Sequence, residues 1–66
     1  MSTIVVMRHI RKAKFCSGAT RHWFAERGWD WSDFLTNGRP AEDFEATGCP
    51  LARTVAAIAR EEALRG

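Results

Sequence analysis

The chain reads as an all-α protein, a compact bundle of four to five short helices led by a short extended segment. Three observations carry that expectation. Residues 3–7, Thr-Ile-Val-Val-Met, are β-branched or apolar with no helical spacing, and no second run like them follows. Elsewhere the apolar residues recur three and four apart, the spacing of one helix face. Between these stripes stand cap residues, glycines and two prolines, which start and stop helices. Residues 1–66 make one domain, since 66 residues leave no room for a second.

The elements follow in order. Residues 3–7 suit one edge strand or an extended lead-in, and residues 8–14 a short helix with Ile10, Ala13 and the Lys14 stem on one face. Phe15 and Cys16 end it, Ser17-Gly18 turns, and Ser17 is the expected N-cap of a helix over 18–27. There Ala19 with Trp23, and Thr20 with Phe24, form two i,i+4 rows and a broad apolar stripe. Gly28 stands where a left-handed residue would stop that helix. Asp30 opens a third helix, with Asp33 as an imperfect capping box, Trp31, Phe34 and Leu35 at i, i+3 and i+4, and Asn37-Gly38 closing it. Pro40 fits the first turn of a fourth helix anchored by Phe44 and ended near Thr47-Gly48. Pro50 begins the last, whose Leu51, Val55, Ile58 and Ala59 are expected to face inward, with a Glu61–Arg65 pair near its end.

A chain this short buries only about 60% of its unfolded surface, so large side chains matter most. Seven Trp and Phe residues supply them, and all three tryptophans lie within residues 16–31. Six of the ten basic residues but only Glu26 of the eight acidic ones fall in residues 1–27, giving a basic front and an acidic back. Such a front suits phosphate backbones or an acidic protein face. Two cysteines can form at most one bridge, which points to free thiols in a reducing compartment. No basic-then-apolar leader or apolar run near 18 residues is present, so neither secretion nor membrane spanning is expected.

Chemistry finds little to use. His9, Cys16, His22 and Cys49 are zinc-ligand types, but gaps of six, five and twenty-six residues and the lack of a Cys-x-x-Cys pair argue against a metal. Cys16 beside a helix start could be a nucleophile with His9 or His22 as base, yet no oxyanion loop or phosphate-cradling glycine loop accompanies it. Glu42/Asp43 and Glu61/Glu62 are sequence neighbours that point apart on a helix, hence solvated faces. No catalytic set, cofactor or metal is expected.

Binding is the better expectation. A short helix, a glycine-containing turn and a longer basic helix over residues 8–28 have the helix-turn-helix layout. On Ala19-Thr20-Arg21-His22-Trp23-Phe24 and Glu26-Arg27-Gly28-Trp29 this stretch resembles the amino-terminal module of MerR-type regulators and phage excisionases. The resemblance implies Thr20, Arg21 and Arg27 facing DNA, with Arg11, Lys12 and Lys14 on phosphates. It ends after Trp29, where those families enter a β-wing and this chain opens an acidic helix instead.

Over residues 8–60 the chain resembles small proteins encoded in phages and prophages. The likeness rests on Cys16-Ser17-Gly18-Ala19-Thr20-Arg21-His22-Trp23-Phe24, Gly28-Trp29-Asp30-Trp31, Asp33-Phe34-Leu35-Thr36-Asn37-Gly38, Pro40-Ala41-Glu42 and Ala46-Thr47-Gly48. It implies a phage origin more than a function; such phages use small non-catalytic proteins as virion fittings, assembly factors and host-factor inhibitors, which places the chain in the bacterial host's cytoplasm or in a virion. Bulk supports a protein partner: Trp23, Phe24, Trp29, Trp31, Phe34 and Phe44 are more than so small a core usually hides, and tryptophan and arginine are typical interface anchors. The leading expectation is protein docking through Trp23, Trp29, Trp31, Phe34 and Arg27, with an oligomer compatible; the alternative is DNA binding through Arg11, Lys12, Lys14, Thr20, Arg21 and Arg27.

Overall fold

The computed structural model describes residues 3–65. The order is β1 (Ile4–Val5), α1 (Met7–Lys12), α2 (Ser17–Glu26), α3 (Trp31–Asn37), β2 (Arg39–Pro40), α4 (Ala41–Ala46) and α5 (Pro50–Arg65). The protein is thus a small five-helix bundle with one minimal strand pair. The core gathers Phe24, Phe34, Phe44, Ile10, Val5 and Val55 with four alanines, Ala41, Ala52, Ala56 and Ala59. The 16-residue α5 is its spine, packing on α4, α1 and β1.

Several boundaries match the sequence and several are displaced. Val6, not Met7, ends the extended segment, because the His9 imidazole returns to the helix start and its Nδ1 accepts the Val6 N–H at 3.0 Å. β1 does not stand alone: Ile4 pairs with Pro40 and Val5 with Arg39, antiparallel, a partner the sequence did not announce. The thiol of Cys16, rather than Ser17, caps α2, its sulfur accepting the Ala19 N–H at 3.3 Å. Gly28, at φ 70°, does stop α2. The Trp29 N–H closes on the Phe24 carbonyl at 3.0 Å, and the Gly28 N–H on that of Ala25 at 3.1 Å, the two bonds of a left-handed helix stop.

Asp30 caps α3, its Oδ1 accepting the Asp33 N–H at 3.0 Å. Gly38 ends it for two reasons at once. Its φ is 75°, and a Cβ there would lie 2.5 Å from the Ile4 side chain and 2.7 Å from the Val5 carbonyl oxygen, so only glycine lets β1 come this close. Pro40 lies one residue before α4, inside β2, rather than in the helix's first turn. The inward face of α5 is Ala52, Val55, Ala56 and Ala59. Leu51 is 51% exposed, a correction to the expected stripe, and Ile58 is half-buried. Alanines let α5 lie close against its neighbours, and that choice of face rotates Leu51 outward.

Ion pairs tie the far end of α5 to the front of the chain. Arg8 bonds Glu62, His9 Nε2 lies 3.2 Å from the same carboxylate, and Arg60 grips Glu45 on α4 with two bonds of 2.7 Å. Glu61 and Arg65 form the expected i,i+4 pair at 2.7 Å. The basic front and acidic back are therefore separate in sequence but partly interleaved in space.

Candidate docking surface

The aromatic cluster is built outward from Phe24, which is fully buried. Trp29 and Trp31 meet it edge-on, with ring centroids 5.3 and 5.0 Å away, and Phe34 lies at 4.8 Å. Trp23 stacks nearly parallel on Phe44 at 6.0 Å. Such contacts exceed simple area burial in value, by about 0.5–1.5 kcal/mol per pair. Phe34, expected at an interface, is only 2% exposed and belongs to the core, because the i+3 position of α3 points at Phe24. It is withdrawn from the contact surface.

None of the three indoles is sealed; each is half-buried. Two are covered by cations of the same chain. The Arg27 guanidinium lies 3.8 Å over Trp23, and that of Arg39 lies 4.0 Å over Trp29 while also pairing with Asp43 at 3.1 Å. Trp31 has no such cover among the described residues. Its neighbour one turn on, Leu35, is 53% exposed.

Beyond Trp23 the expected stripe of α2 opens instead of closing. Ala19 is exposed and Thr20 half-buried, and with Trp23 they wall an apolar groove of about 330 Å³. Ile10, Phe15, Leu51 and Val55 supply further apolar surface, while Lys14, Cys16 and Glu26 bring polar groups to the lining. Four segments build this groove, none of which announces it alone. The turn beneath it is regular. The Phe15 N–H bonds the Ile10 carbonyl at 3.2 Å and the Lys14 N–H that of Arg11 at 2.9 Å, so Lys14, at φ 66°, takes the left-handed place that glycine usually fills.

Cys49 sits just behind Trp23. Its carbonyl accepts the Arg53 N–H at 3.0 Å, which makes it the residue before the first turn of α5. The Ala52 N–H holds its thiol below the ordinary value, helped by the Leu51 N–H, the Trp23 indole and the charge of Arg27, and opposed by desolvation. Both cysteines are free. Neither histidine hydrogen-bonds a thiol: His9, 3% exposed, faces the Val6 N–H and Glu62, and His22 lies 3.8 Å from Glu26. Among the described residues no three His, Cys, Asp or Glu side chains gather as a metal site.

The residues expected on DNA are only partly brought together. Arg11, Lys12, Lys14 and Arg21 are exposed on α1, its following turn and α2, with no carboxylate of the described residues at ion-pair distance. The Thr20 hydroxyl instead donates to the Cys16 carbonyl at 2.9 Å, and Arg27 lies over Trp23. The helix–turn–helix order is present, but α1 packs chiefly on α5. Among the described residues, no helix is long and apolar enough to cross a membrane.

Comparison with protein-family models, with curated proteins and with solved structures finds no match to this chain.

Proposed function

We propose that this chain is a non-catalytic accessory protein that acts by docking onto another protein, in the manner of a virion fitting, an assembly factor or a host-factor inhibitor of phage type. One observation carries the reading. Among the exposed large apolar side chains, two that a monomer would gain by burying stand beside half-buried indoles in separate places: Leu35 beside Trp31, and Leu51 in the groove with Trp23. Exposed leucines next to half-buried indoles and arginines have the composition of an interface core. The test is photo-crosslinking in cells that encode the protein, with a benzophenone amino acid at position 35 or 51. A discrete adduct with a second protein is expected, suppressed by Leu35→Glu or Leu51→Glu in an otherwise folded chain. Absence of any adduct from both positions removes the reading.

DNA binding stands second, on the exposed cations of α1 and α2. It requires submicromolar affinity for duplex DNA that falls steeply with salt and is lost in Arg21→Ala. A flat titration at low salt eliminates it.

A further inference from the structure

The docking reading leaves the partner open, and two patches of this one molecule match each other. The first is the groove, apolar inside, with Lys14 in its lining. Lys14 is there at a cost, because among the described residues it is the one non-glycine residue with positive φ. A lysine kept where glycine is conformationally cheaper points to use of its side chain. The second patch is α3, whose Trp31 and Leu35 are one turn apart with Leu35 open to solvent. Its charges are acidic: no lysine, arginine or histidine occurs from residue 28 to 38, and among the described residues neither Asp30 nor Asp33 reaches a cation at ion-pair distance.

We infer that the groove of one copy receives α3 of a second copy, with Leu35 entering between Trp23 and Leu51 and Asp33 meeting Lys14. This rests on the docking reading and names a partner for it. Glu26, also in the lining, repels carboxylates at its own end and so favours the orientation that brings Asp33 to Lys14. Leu64 is a poorer occupant, though it is 89% exposed. The charges around it, Glu61 and Arg65, already neutralise each other at 2.7 Å and offer Lys14 nothing. Within one molecule α3 packs on α2 through Phe34 and Phe24, whereas Ala19, Thr20 and Trp23 face the groove. Donor and acceptor are therefore different patches. A contact between them is head-to-tail and leaves a free groove and a free α3 at the ends, so copies join into rings or open strings.

Sedimentation velocity at low salt, from about 10 µM to about 1 mM, tests this. The wild-type mass is expected to climb past that of two copies and to fall as salt screens the Asp33–Lys14 contact. Leu35→Asp and Lys14→Glu alter exposed side chains, keep the helical circular dichroism, and each weaken association at least about tenfold. Mixed in equal amounts, the two variants regain one intact contact and pair as a dimer that grows no further. Lys14→Gly weakens association similarly while raising the melting temperature, which separates a docking role from a turn-forming one. A wild type that stays monomeric to about 1 mM, or a mixture that stays monomeric, overturns the inference. If such a monomer still crosslinks to a different protein through position 35 or 51, the docking reading survives and only the self-partner is lost.

Discussion

Lys14 holds a backbone conformation that costs an L-residue roughly 1–2 kcal/mol, of which glycine recovers part after its own entropic loss. Lys14→Gly should stabilise the monomer by roughly 0.5–1 kcal/mol, read as a rise of several degrees in melting temperature. Gly38 is the opposite case. Its positive φ and the close approach of Ile4 and Val5 leave no room for a methyl group. Gly38→Ala is expected to cost roughly 2 kcal/mol or more, a fall of roughly 8–16 °C in a chain of this size, by thermal denaturation. At Cys49, the surrounding N–H groups and the nearby guanidinium favour the thiolate. In a Cys16→Ser background, alkylation of Cys49 should therefore reach half its limiting rate at a lower pH than free cysteine does. A midpoint at or above that of free cysteine would show that desolvation dominates there.

Among the elements, α5 bears the interactions most sensitive to acid. Hydrogen bonds from Arg8 and His9 bring the Glu62 carboxyl to about 2 from an ordinary 4.5, and Arg60 lowers that of Glu45 in the same way. A depressed carboxyl stabilises the fold fully above its unfolded value and loses that contribution as it takes up a proton. The stability difference between wild type and Glu62→Gln, followed by urea unfolding, should hold steady above pH 4.5 and vanish as the pH falls to about 2. The elements also divide by how plainly the sequence declares them. Asp30 and Gly28 act locally, through bonds spanning three to five residues, and their helices lie where the residues alone put them. The β1–β2 pair joins positions 34 and 36 residues apart through strands of two residues, too short to carry any pattern of their own. On α5 the many alanines leave the buried face ambiguous, so Leu51 was expected inside and lies outside. The groove was illegible for a related reason, since its walls come from four segments that meet only after folding.

For the molecule as a whole, sequence-level charge separation misleads about shape. Glu62 returns to Arg8 and His9, which shortens the basic front to the exposed cations of α1, the turn and α2. The net charge of +2 keeps long-range self-repulsion small, so any association should respond to salt through local pairs such as Lys14 with Asp33. Doubling ionic strength from a low-salt buffer should lower the sedimenting mass of the wild type and leave that of Leu35→Asp unmoved. One arrangement governs how the chain comes into being. The helix that packs against β1, α1 and α4 is made after all three, so these earlier segments lack their main packing partner while they emerge. Native structure should thus arrive in a single late step, and a nascent chain stalled before Pro50 has cleared the exit tunnel should be open to protease along its length.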